Sequence, residues 1–186
     1  MNIRAFGAFD VEWMGDAADS FKAVTGSPIM FGYGGGVEVV NLWKRLFVRG
    51  DYVTGSSSGE RAFVVDGEVV SNGVPITLRL STIEIGGGWR IPMRKHPKYT
   101  PYVGGALLLT KYSQKSDFEQ PTDAVNDSYP GFSVLGGVDA QVGKRLYATF
   151  EAQYRSVPNA GVSNLYGDKN LGGFVGRVMF GYNLKK

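Results

Sequence analysis

With one histidine and no cysteine, the chain must draw its side-chain chemistry mainly from arginines, carboxylates and hydroxyls. The missing thiols exclude a disulfide scaffold, a thiolate metal site and a cysteine nucleophile. The lone His96 excludes a multi-histidine metal centre. What recurs is opposite charge at even spacing within short segments: Arg4 and Asp10, Arg49 and Asp51, Glu84 and Arg90, Glu151 and Arg155. Glu38, Asp139 and Arg177 stand in further segments of the same kind. A guanidinium fork grips a carboxylate with two parallel hydrogen bonds, so this set is suited to ion pairing in a confined space. No lysine belongs to it. Counting Arg79, which falls on the opposite parity, the segments hold six arginines and six acids, a balance that avoids unpaired buried charge. No catalytic group, metal or cofactor is expected from these residues. The glycine runs Gly34-Gly35-Gly36 and Gly86-Gly87-Gly88 do not make a phosphate loop, because neither opens a helix or leads to Gly-Lys-Ser/Thr.

Even spacing places side chains on one face only in an extended strand. Alternation of that period runs through Ile3–Val11, Ile29–Val39, Leu46–Tyr52, Thr82–Ile91, Phe132–Val142, Leu146–Tyr154 and Phe174–Leu184. Tyr99–Tyr112 is strand-like too, but Lys111 is its sole charge and its facing stays open. The best helical stretch, Ala17–Val24, is short and polar and is not expected to matter. The connections 41–45, 92–98 and 143–145 are short. Those at 13–28, 55–75, 113–131 and 156–171 are long, polar and rich in turn formers. Val65-Asp66-Gly67-Glu68 is a hairpin signal, so the third and fourth strands are expected to run beyond the others. Eight strands with turns at one end and loops at the other predict an all-β, eight-stranded antiparallel up-and-down barrel, a single domain over 1–186.

The contrast between the two faces decides the solvent. The apolar rows of the first, third, sixth, seventh and eighth strands carry no charge, while Arg4, Asp10, Glu38, Arg49, Asp51, Glu84, Arg90, Asp139, Glu151, Arg155 and Arg177 share the other parity. Apolar outside and charged inside is the pattern of a transmembrane barrel, whose strands cross ~25 Å of hydrocarbon. Arg79 is then expected above the hydrocarbon, at headgroup level. Aromatics gather near strand ends and read as two interfacial belts: Trp43, Phe47, Trp89, Tyr99, Tyr102, Phe180 and Tyr182 at the short turns, with Phe9, Trp13, Tyr52, Tyr112, Phe132, Tyr154 and Phe174 at the long loops. The longest apolar runs are far short of the ~20 residues of a transmembrane helix. The net charge of +3 divides unevenly along this axis. Eleven acids face five bases in and around the long loops, whereas the short turns and C-terminus hold nine bases and no acid. No basic stripe interleaved with aromatics survives the strand parity, so nucleic acid is not an expected partner.

Pro101-Tyr102-Val103-Gly104-Gly105-Ala106, Gly136-Gly137-Val138-Asp139-Ala140 and Leu146 to Arg155 resemble the OmpA-type and opacity-type family of small eight-stranded outer-membrane barrels. The closing Phe180-Gly181-Tyr182-Asn183-Leu184 is similar to the family's last strand, although the chain ends in Lys185-Lys186 and not in an aromatic. The resemblance covers essentially the whole chain. It implies a bacterial outer-membrane location, periplasmic termini, surface loops, and contact with outer-membrane lipid, lipopolysaccharide and a protein partner met through the loops or the envelope machinery. No signal peptide precedes Ile3; an exported form would have lost it, and the alternative is a protein made without one.

The leading expectation is a non-enzymatic barrel with a structural or surface-interaction role carried by its loops. A narrow pore gated by Arg49, Glu84, Arg90, Glu151, Arg155 and Arg177 is the first alternative. A soluble lipid-binding barrel is another. Tyr154 to Gly161 also resembles the active-site strand of outer-membrane lipid A deacylases, but no histidine stands beside Ser156. A hydrolase is therefore the weakest alternative.

Overall fold

Alternation at period two over eight segments can bury one face of every strand only if the sheet packs on another layer or closes on itself. It closes. The computed structural model describes residues 1–65, 68–116, 126–158 and 170–184. Its strands are β1 (Asn2–Trp13), β2 (Ile29–Val40), β3 (Leu46–Val65), β4 (Glu68–Arg90), β5 (Tyr99–Ser116), β6 (Asn126–Gln141), β7 (Leu146–Ser156) and β8 (Phe174–Asn183). Each pairs antiparallel with its chain neighbours, and β8 pairs with β1 from Arg4↔Asn183 to Trp13↔Phe174 to seal the barrel. The ten residues of β8, at ~3.3 Å each and tilted by ~40°, rise about 25 Å, enough to cross a hydrocarbon layer.

The wall is not of even height. β2 pairs with β3 only as far as Gly32↔Gly55, yet β3 and β4 continue together to Val65↔Glu68. The ten residues Ser56–Val65 therefore carry the β3–β4 ribbon roughly 33 Å further along the strand direction. The expected hairpin tip, residues 66–67, lies outside the described residues. β4–β5 and β5–β6 pairing also runs on, to Ile76↔Ser116 and Ser113↔Asn126, so one side of the barrel stands taller than the other.

The first long connection departs from expectation. It contains a 3-10 turn (Gly15–Ala17) and a helix, α1 (Ala18–Thr25), whose Phe21 is buried with Met14 and Ala17. An isolated eight-residue helix is unstable, and this one is held by packing against β3. Gly59 is required at that contact, because a Cβ there would meet the Val24 carbonyl. Gly26 ends the helix in the left-handed conformation, its N–H donating to the Lys22 carbonyl.

Three aromatics assigned to the interfacial belts lie inside the barrel: Phe47, Tyr102 and Tyr112, the last in the apolar cluster toward the long loops. Phe47 and Tyr102 are buried and meet edge to face with ring centres 5.3 Å apart. Phe47 shares the parity of Arg49, which decides its direction. For Tyr102, the uncharged segment left the facing open, and pairing with Gly137 turns the ring inward, where glycine makes room for it.

Candidate functional site

The lumen is filled by two layers of charge. Register builds them: Arg4 stands opposite Glu38, Glu38 opposite Arg49, Asp10 opposite Arg177, and Glu151 opposite Arg177. In the central layer Arg49 grips Glu151 with both terminal nitrogens, at 2.8 and 3.0 Å, and reaches Glu84 at 3.0 Å. Arg177 grips Asp10 at 2.8 and 3.0 Å and donates to Asp51 at 3.0 Å. Arg155 joins Asp10 at 3.0 Å and Glu12 at 3.1 Å. The layer nearer the short turns joins Arg4 to Asp139 at 2.7 Å and to Glu38 at 3.4 Å, with Arg90 also on Asp139. Ion pairs this deep are held in place by neutral donors, which occupy the remaining lone pairs. Tyr102 donates to Glu151 at 2.6 Å, Gln153 to Glu151 at 2.6 Å, and Thr149 to Asp139 at 2.7 Å. The Arg4 guanidinium also lies 4.4 Å above the Tyr147 ring.

Arg79 falls where its parity puts it, and one placement changes the charge count. Arg79 is on the outer face, exposed, while Glu12 turns inward beside Asp10, whose parity it shares. Among the described residues the lumen therefore holds five arginines (Arg4, Arg49, Arg90, Arg155, Arg177) and seven carboxylates (Asp10, Glu12, Glu38, Asp51, Glu84, Asp139, Glu151). The interior is thus net acidic by two, not balanced. Glu12, Tyr102, Thr149 and Gln153 are members the pairing pattern missed. Strand parity marks Glu12, but the neutral three carry no charge signal.

Toward the long loops the described lumen is apolar. Phe21 and Met14 from the first connection meet Met30, Leu78, Leu80 and Tyr112 from the walls, and Val157 and Leu171 close the other side. A void of about 10 Å³ lies between this plug and the charges, bordered by Asp10, Glu12, Met30, Leu80 and Arg155. From the short-turn end a vestibule of about 180 Å³ reaches Arg4, Arg90 and Asp139, with Lys98 and Lys144 at its rim. The vestibule and the void share Arg-bearing walls but no lining residue.

The outer surface is the converse. Phe9, Val11, Phe31, Val48, Ile83, Ile85, Leu107, Val134 and Phe150 point outward and exposed, a continuous apolar belt around a charged interior. A soluble barrel would bury that row, so the arrangement is that of a protein solvated by lipid. Trp13, Trp43, Tyr52, Trp89, Phe132, Tyr154, Phe180 and Tyr182 are all exposed on it. Trp13 stacks on Phe174 at 6.2 Å, and Tyr154 meets the same ring edge-on at 5.1 Å. Ser156 ends β7 at the long-loop end, and Asn170 donates to its Oγ at 3.4 Å. His96 is exposed in the β4–β5 turn at the opposite end of the barrel. A nucleophile–base pair cannot form between them. Residues 159–161 of the deacylase-like segment lie outside the described residues.

No protein-family model matches the sequence, and no curated protein does. Solved structures do. Neisserial surface protein A (NspA) superposes with a TM-score of 0.57 at 14% identity, covering 100% of this chain and 96% of its own. The N-terminal β-barrel domain of Pseudomonas aeruginosa OprF gives 0.56 at 11% identity, covering 99% and 98%. A major outer membrane protein from Thermus thermophilus gives 0.53 at 13% identity, covering 97% and 99%. Closure of eight strands in chain order, a charged lumen and an apolar exterior together give this chain the fold of the small eight-stranded outer-membrane β-barrels.

Proposed function

We propose that the protein is a bacterial outer-membrane barrel that acts through its long-loop surface, with the lumen serving as a rigid filling. The termini and basic short turns then lie in the periplasm, and the tall β3–β6 side with α1 faces the cell exterior. The observation that carries this reading is the lumen itself. Two layers of ion pairs beneath an apolar plug fill the described lumen of an eight-stranded barrel, which favours a role for the parts outside the membrane. Outer-membrane lipid and lipopolysaccharide surround such a barrel, and the loops present Trp13 and Phe63 for a protein contact. The sequence offers three further aromatics of the long loops for such a contact: Phe21 is instead buried in the plug, and Phe118 and Tyr166 lie outside the described residues. The separation of Ser156 from His96 supports a role without hydrolysis.

Planar-bilayer recording tests this directly. The purified barrel is expected to give no stepwise conductance, in the wild type and in Glu151→Ala alike. Reproducible single-channel steps in the wild type would replace this reading with the gated-pore alternative. Fatty-acid release from lipopolysaccharide that disappears in Ser156→Ala would replace it with the hydrolase.

A further inference from the structure

One feature of the outer surface has no part in the lumen. On the tall side of the barrel a groove of about 520 Å³ runs along β4 and β5 on their outward face. Its lower end is apolar, formed by Tyr52, Ile83 and Leu109 at the margin of the lipid belt. Its upper end holds three cations, Arg79, Lys111 and Lys115, with serine and threonine hydroxyls between them. Register fixes their relation. Arg79 pairs with Ser113, so Lys111 and Lys115 are its two diagonal neighbours across the strands, roughly 7–8 Å away at the backbone. Side chains as long as these reach across that spacing, and all three border the one groove. No carboxylate lines the groove, and among the described residues none pairs with the three cations. On the shorter side, the outward rows end in the aromatics Trp13, Tyr154 and Phe174, not in cations.

Three cations gathered without counter-charge among the described residues, the lowest one strand step above an apolar margin, match one kind of ligand: an amphiphile with a phosphate at its head and acyl chains beneath. We infer that this groove is a binding site for a phosphorylated lipid of the surrounding leaflet. Its phosphate is held by Arg79, Lys111 and Lys115, and its chains lie on Ile83 and Leu109. Arginine takes the phosphate bidentately, and the lysines add point charges from either side. This inference rests on the membrane reading above and names a lipid that such a barrel would select.

The test uses the full chain in a neutral maltoside detergent and native mass spectrometry. The probes are bis-phosphorylated lipid A, the same lipid with its phosphates removed, and inorganic phosphate. The wild type is expected to retain the phosphorylated lipid about tenfold or more tightly than its dephosphorylated form, since each basic side chain near a charged lipid surface adds about a tenfold factor or less. Arg79→Gln/Lys111→Gln/Lys115→Gln is expected to lose that preference. Arg94→Gln/Lys95→Gln/Lys98→Gln, at the other end of the barrel, is expected to keep it. A groove variant that keeps the full preference, or a wild type without one, overturns the site. Displacement of the lipid by millimolar inorganic phosphate shows that the acyl chains contribute nothing and overturns the lipid assignment. Heat-dependent gel mobility verifies that each variant is a closed barrel; if the triple variant is not, Lys111→Gln alone must weaken retention. A wild type that does not enter detergent or vesicles fails the membrane reading itself, whereas insertion without lipid preference fails only the groove.

Discussion

Arg49 shows how much one buried side chain can organise. It meets carboxylates from β3, β4 and β7, and its own side chain is almost wholly shielded. Removing Glu151 leaves Arg49 with Asp51 and Glu84 but deletes the carboxylate that it grips with two charge-assisted hydrogen bonds. Glu151→Gln, which preserves shape while deleting charge, is expected to cost about 3–5 kcal/mol in urea unfolding from detergent. Tyr102→Phe deletes one hydrogen bond to a carboxylate that keeps its arginine, and is expected to cost about 1.5–3 kcal/mol. The reverse order would mean that the phenol, not the ion pair, fixes Glu151. Much of this layer is legible in the sequence, because even spacing of charges puts them on one face. Glu12 has the same parity as Asp10 and escapes the pattern by its closeness to the loop. Tyr102, Thr149 and Gln153 are illegible for a different reason: a neutral donor in a strand has no pattern that distinguishes a lumen partner from a surface residue.

At the scale of elements, strands with charge on one row declare their facing, and the one almost without charge does not. β5 has Lys111 as its only charge within the segment read as strand, and its inward row is settled by pairing with β4 and β6. α1 coincides with the best helical stretch of the sequence, Ala17–Val24, but its importance is not legible there, for an energetic reason. Eight residues that include Asp19, Ser20, Lys22 and Thr25 do not sustain a helix alone, and its stability comes from contact with β3, which local periodicity does not report. Gly59 is the contact point between them. Gly59→Val places methyl groups against the Val24 carbonyl and is expected to release α1 while the barrel stays closed. Limited proteolysis is the measurement: cleavage within residues 14–28 should accelerate, with heat-dependent gel mobility unchanged. If residues 14–28 stay protected, the helix is held by Phe21 and Met14 alone.

For the whole molecule, inside and outside have exchanged their usual roles, so tolerance to charge should be exchanged as well. Leu107→Arg, at the middle of the belt, is expected to destabilise the membrane-inserted barrel by about 2–4 kcal/mol. Met93→Arg, exposed in a short turn, is expected to stay within about 0.5 kcal/mol. Equal effects at the two positions would contradict a lipid-facing belt. The charged lumen also bears on how the molecule comes to exist. Arg49 and Glu151 are 102 positions apart, and Arg177 and Asp10 are separated by 167. No hairpin of two neighbouring strands contains a complete set of partners. A partly formed sheet entering the bilayer would carry guanidinium and carboxylate groups into hydrocarbon with nothing to neutralise them, and the entropy of bringing distant segments together must be met before any pair forms. Half-built barrels are thus selected against by their own interior. Folding of this chain should be slow and all-or-none, with ring closure and membrane entry occurring as one event.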